Sequence, residues 1–204
     1  SSGYGITGTG NNSWIYEGFT IYNSATGIVL DSSFHNTIKN LNVVKIGSEA
    51  IHLRTYSSYN TITECFIDST GSLASAASSG FAEGIYIGSA TSNWATYTDG
   101  NPDTCNYNIV TYNTFGNSIL SENIDVKEGT TGGNIAHNQF NGKGCNGNNS
   151  ADSWLDMKGN YYTIECNTGV NNHPTGDGLQ THILADGWGD YNTFSNNTLD
   201  VGSS

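Results

Sequence analysis

Six short segments of this chain share one pattern, and that repetition limits the fold more than any other feature. They are Gly27-Ile28-Val29-Leu30-Asp31, Ala50-Ile51-His52-Leu53-Arg54, Gly84-Ile85-Tyr86-Ile87-Gly88, Asn123-Ile124-Asp125-Val126-Lys127, Trp154-Leu155-Asp156-Met157-Lys158 and Gly178-Leu179-Gln180-Thr181-His182. The second and fourth positions are apolar in nearly every copy, which is the alternation of a strand with one buried face. The third and fifth positions then point outward, and they carry carboxylates, cations and imidazoles in one register. Solvation alone does not call for such a column, whereas a binding or catalytic groove does.

A second signature follows each of these strands: Asn36-Thr37-Ile38, Asn60-Thr61-Ile62, Asn108-Ile109, Asn134-Ile135, Thr163-Ile164 and Asn192-Thr193-Phe194. Equivalent positions are 23 residues apart from Ile28 to Ile51, then 34, 39, 31 and 24 apart on reaching Leu179. A core period near 23 with insertions describes a solenoid whose units cannot bury an apolar face until they stack. The insertions, expected as external loops, are residues 69–80, 89–104 and 142–152. Asn138, Asn167 and Asn197 are placed to hydrogen-bond up the stack as an amide ladder.

The chain has 204 residues, enough for one domain, 1–204, with a substantial core. Its 18 acidic and 6 basic residues give a net charge of −12, which argues against nucleic acid and against an anionic membrane surface. The four cysteines contain no Cys-x-x-Cys pair, which argues against a zinc site. Their even count and wide spacing suit two disulfides in an oxidising compartment, and of three possible pairings the repeat favours Cys65–Cys105 and Cys145–Cys166. An opening Ser1-Ser2-Gly3 is consistent with removal of a leader, and with these features a secreted, extracellular monomer is the expectation. Sequons at Asn11, Asn148 and Asn196 permit glycosylation.

The repeated strands, the Asn-Thr-Ile turns and the outward Asp/Lys column resemble the right-handed parallel β-helix of the pectate-lyase-like superfamily, over about residues 14–200. The chain is also similar to β-helix repeat proteins that carry an Ile-Asp-x-Lys-Glu-Gly segment, here Ile124 to Gly129. The resemblance implies six to seven coils and a polysaccharide lyase that cleaves an acidic, uronate-containing polymer such as pectate by β-elimination. That reaction needs a base for the C5 proton and positive charge beside the uronate carboxylate. Lys127 is the expected base, its pKa lowered by Lys158. Arg54 and Lys158 are the charge neutralisers, and His182 is an alternative proton carrier. Calcium, held by Asp125, Asp156 and Glu122, would offset the acidity of the site. His52, Tyr86, Trp154 and Gln180 are expected to contact substrate, Trp154 and Tyr86 by stacking on sugar rings.

Two other readings use the same residues. Paired aspartates on successive coils suit a glycoside hydrolase, although a nearby ammonium lowers rather than raises the pKa of a general acid. A charge ladder without catalysis would suit a glycan-binding β-helix. A C5-epimerase is a variant of the lyase, since it shares the proton abstraction. His35, His137 and His173 fall in turns or off the column and are read as structural.

Overall fold

The structure, a computed structural model, describes residues 3–171 and 176–202. His173 lies outside the described residues. Over the described residues the chain winds into a parallel β-helix of seven coils, and each coil gives one strand to each of three seven-stranded parallel sheets. The first sheet carries the outward column. Its strands are Tyr4–Thr9, Thr26–Asp31, Ile51–Arg54, Ile85–Ile87, Ile124–Val126, Ser153–Met157 and Asp177–Thr181.

Stacking keeps like on like. Ile28, Ile51, Ile85, Ile124 and Leu155 are in register, with Leu30, Leu53, Ile87, Val126 and Met157 two residues on. All are fully buried. In the second sheet Ile38, Ile62, Val110, Ile135 and Ile164 form the matching column. That register corrects the alignment of Asn108-Ile109 with Asn134-Ile135. Val110 is the true partner of Ile135, and Ile109 pairs with Asn134 on the outer face, 40% exposed.

The corners are set by residues that side chains hold in place. Asn138 donates through Nδ2 to the Oδ1 of Asn167, which donates in turn to Asn197, and Asn113 donates to Asn138. The expected ladder is therefore present, and a second runs through Asn36, Asn60 and Asn108. Each Oδ1 also accepts the backbone N–H of the preceding coil's asparagine, so buried turn amides keep their partners. Outside these corners His35, Tyr59, Tyr107, Tyr161 and Tyr191 adopt positive φ, costly for bulky residues. Ring stacking at 5.1 Å for His35–Tyr59 and Tyr59–Tyr107 and 4.8 Å for Tyr161–Tyr191 favours it. His137 stacks on Tyr112 in the same manner.

Two expectations are corrected by the packing. All four cysteines are free thiols, so neither Cys65–Cys105 nor Cys145–Cys166 is bridged. Trp154 does not face outward: its side chain is fully buried in the core. Strand alternation fails there because every residue of Ser153–Met157 is buried, the outer face of that strand being covered as well as the inner one. Ala50, Asn123 and Trp154 all point inward beside the isoleucine or leucine that follows. The Trp154 ring fills space that two glycines leave open. A Cβ on Gly169 would come within 2.3 Å of the ring, and one on Gly178 within 2.7 Å.

The three insertions carry short helices: Ala74–Ser79, Thr91–Asn93 with Trp94–Tyr97, and Asn148–Ser150. They rise beside the first sheet. The insertion 89–104 is pinned at both ends by buried carboxylates. Glu128 accepts the N–H of Thr91 at 2.7 Å, and Asp103 accepts the N–H groups of Thr55 and Tyr56 at 3.0 and 2.8 Å. Outward residues of the column are thereby walled in.

Candidate active site

The register places Val29, His52, Tyr86, Asp125, Asp156 and Gln180 in one vertical row. The ladder continues through Arg54, Lys127, Lys158 and His182, whose backbone groups pair coil to coil. Asp125 and Asp156 are thus direct neighbours on successive coils. Between and beside them runs an alternating chain of charge. Lys127 Nζ lies 2.6 Å from Asp125 Oδ2, and Lys158 Nζ lies 2.8 Å from Asp125 Oδ1 and 2.6 Å from Asp156 Oδ2. His182 Nδ1 closes the row at 2.8 Å from Asp156 Oδ1. Lys158 and both aspartates are buried, while the His182 side chain is 42% exposed.

This row floors a cavity of about 480 Å³ that also admits Glu83, Glu122 and Tyr86. Its walls come from the insertions, through Phe81, Ser92, Asn93 and Asn149. Sequence reasoning passed over those wall residues and gave Glu83 no role at the site. The available signal was that each insertion departs from the repeat next to a column strand. A second cavity, of about 360 Å³, holds His52 and Arg54 and shares Phe81, Tyr86 and Asn93 with the first. Arg54 is held by Asp31, with Nε donating at 2.6 Å and Nη2 at 3.2 Å, so its fork is already occupied. Gln180 turns its Nε2 to Asp152 and Asp177 at 3.0 and 3.1 Å, away from both cavities.

The electrostatics sort these groups. Burial alone would raise Asp125, but Lys127 and Lys158 overcome it and hold the carboxyl below its ordinary value. For Lys127 burial disfavours the charge, yet Asp125 prevails and raises the ammonium pKa strongly. That reverses the expectation that Lys158 would prepare Lys127 as a base. Lys158 is raised in the same sense by Asp125, against burial. Glu122 is pushed up to about 8 by burial and by the charge of Asp125. Glu83 rises for the same reasons, with Glu49 also contributing. Tyr86 is raised well above a normal phenol by burial and then by Asp125, so it keeps its proton. Burial holds His52 neutral, and its Nε2 donates to the Gly88 carbonyl at 3.0 Å. The His52 and Tyr86 rings meet edge to face at 4.5 Å.

The expected calcium ligands do not suit the ion as arranged. All four carboxylate oxygens of Asp125 and Asp156 are engaged by Lys127, Lys158 or His182. Lys158 fills the position between the two carboxylates that a cation would need. The acidic atoms closest to one another, within 4.8 Å, belong to Glu83, Glu122 and Asp125 rather than to Asp156. Two of those three are the carboxyls that burial keeps protonated. What the row offers chemically is different: two fixed ammonium groups, an oriented imidazole and a protonated phenol. Asp156 Oδ1 engages Nδ1 of His182, so in the neutral imidazole with its proton on Nδ1 the Nε2 lone pair is the atom able to accept a proton.

No protein-family model matches the chain, and no curated protein matches it. Among solved structures it is similar to the crystal structure of alginate lyase from Paenibacillus sp. str. FPU-7. The TM-score is 0.90 and the identity 36%, with 98% of this chain covered. The match spans 64% of the length of that lyase.

Proposed function

We propose that the protein is a polysaccharide lyase that cleaves a uronate polymer by β-elimination, and that alginate is its substrate. The observation that carries this reading is the Lys127–Asp125–Lys158–Asp156–His182 row on the floor of an open cavity. The likeness to an alginate lyase supports the choice of polymer. In a uronate the C5 proton is acidified by the attached carboxylate. Lys127, with 14% of its side chain exposed, neutralises that carboxylate as negative charge develops on it. His182 Nε2 removes the C5 proton, with Asp156 orienting the ring and stabilising the imidazolium. The electron pair forms the C4=C5 double bond and the C4–O bond breaks. Tyr86 gives its proton to the departing oxygen. The products are one chain with a new reducing end and one ending in an unsaturated uronate. Lys158 keeps both aspartates paired, and no step requires calcium. We also place the protein outside the cell, where such polymers are met, without disulfides to support it.

The test is to incubate the protein with alginate and with pectate, with and without chelator, following ultraviolet absorbance and reducing ends together. Unsaturated product from alginate, indifferent to chelator and lost in Lys127→Ala, is the expected result. Reducing ends without absorbance would mean hydrolysis, and binding without any product would leave a glycan-binding module; either overturns the reading.

A further inference from the structure

We infer that the second cavity is a sugar subsite, which receives the pyranose next along the polymer from the one being cleaved. The inference rests on the lyase reading and adds to it a residue that sets chain-length preference, Tyr97. The two cavities are continuous: Phe81, Tyr86 and Asn93 line both. They follow the outward row of the first sheet, so from the coil of Arg54 to the coil of His182 the groove covers four coil steps, about 19 Å at the usual interstrand spacing. That is a length for an oligosaccharide, not for one ring. The lining chemistry differs between the two ends. In the first cavity the ammonium groups of Lys127 and Lys158 line the space, each paired with an aspartate. In the second, the one cation, Arg54, is bound bidentately by Asp31, and Glu49 adds a further acid. What the second cavity presents instead is aromatic surface: Tyr4, 53% exposed, Phe81, 49% exposed, and Tyr97. Aromatic faces with a few fixed donors recognise a pyranose by its C–H face and its hydroxyls. Tyr97 is built for this role. The Arg54 guanidinium stacks on its ring at 4.6 Å and donates to its hydroxyl at 3.3 Å. The insertion that carries it is tied down by Glu128 and Asp103.

The experiment compares kcat/KM on alginate oligosaccharides from three to six residues for the wild type, Tyr97→Ala, Tyr97→Phe and Tyr4→Ala. Tyr191→Ala, on the distant stack of turn aromatics, is the control. Calorimetry of the hexamer, in a Lys127→Ala background and in Lys127→Ala with Tyr97→Ala, gives a readout independent of turnover. For Tyr97→Ala the ratio of kcat/KM on the longest to the shortest substrate should fall about tenfold, the loss of one stacking ring. Tyr4→Ala should act in the same direction, while Tyr97→Phe and Tyr191→Ala should leave the ratio near that of the wild type. Equal losses at every length, or hexamer binding untouched by Tyr97→Ala, would overturn the subsite while leaving the lyase reading intact. Hexamer binding that weakens in Tyr97→Ala with no unsaturated product from any variant would support the subsite and refute the lyase reading.

Discussion

At the scale of single residues, the site turns on which groups hold protons. Lys127 looks like a base when only its neighbour Lys158 is considered. With Asp125 at 2.6 Å it is a firmly charged ammonium, and the proton acceptor we propose is His182, whose orientation Asp156 sets. His182→Ala should therefore lower kcat by roughly 10²–10⁴-fold, the usual contribution of a positioned general base, with partial rescue by added imidazole. An unchanged kcat would remove His182 from the reaction. Glu122 gives a stability prediction. Between its ordinary value of 4.5 and its folded value of about 8, the folded protein holds a proton that the unfolded chain has released. Its contribution is thus present below pH 4.5 and is lost as pH rises toward 8, on the order of 1 kcal/mol per pH unit. Asp125 works in the opposite sense, its pairing being lost only on strong acidification. Urea midpoints at pH 5 and pH 8 should show the wild type weaker at pH 8 and Glu122→Gln losing part of that difference, with Glu83 keeping the rest. Equal slopes for the two proteins would mean that Glu122 does not carry the effect.

At the scale of elements, each strand is only two to six residues long and has little stability of its own. Register depends on what sits at the corners. Asn138 is the centre of one ladder. Its Oδ1 accepts both the backbone N–H and the Nδ2 of Asn113, and its Nδ2 donates to the Val110 carbonyl and to Asn167. Asn138→Ala would leave the buried backbone N–H of Asn113 without an acceptor and take the Asn138 donor from the Val110 carbonyl, at about 1–3 kcal/mol for each orphaned group. A drop of about 3 kcal/mol in unfolding free energy is expected, read from urea denaturation; a drop under 0.5 kcal/mol would show that the ladder is incidental. The coils themselves were legible in the sequence, because apolar alternation at Ile28, Ile51, Ile85 and Ile124 recurs whatever the insertions do. The errors fell where alternation breaks. The Asn-Ile signature aligns Ile109 with Ile135, yet it pairs with Asn134 on the outer face, and alternation points Trp154 outward, yet it is buried. Trp154 sits within a strand buried on both faces, and its large ring fits because Gly169 and Gly178 lie beside it.

At the scale of the whole molecule, a protein of net charge −12 is proposed to bind a polyanion. Its groove cations are largely paired within the protein, so the long-range field repels substrate. The expected consequence is a kcat/KM on alginate that rises as ionic strength goes from about 10 to 150 mM, because screening weakens that repulsion. A fall over this range would show that local cations steer the polymer after all. The groove itself is a property of the assembled coil. Asn93 and Asn149, on different insertions and 56 residues apart in sequence, meet as walls of one cavity because stacked coils place them side by side.

The amino-acid sequence by itself determined the solenoid, the vertical pairing of Asp125 with Asp156 and of Lys127 with Lys158, and the ribbon on which they stand. Those features follow from local alternation and a counted period, which need no distant information. Tertiary structure alone decided which carboxylate oxygens were already taken, which groups were dry enough to keep or lose a proton, and whether cysteines met. Each of those depends on distances between side chains from different coils and on how far loops exclude water. The balance of burial against charge pairing, which sets the direction of each pKa shift, depends on those distances, while the repeat pattern does not.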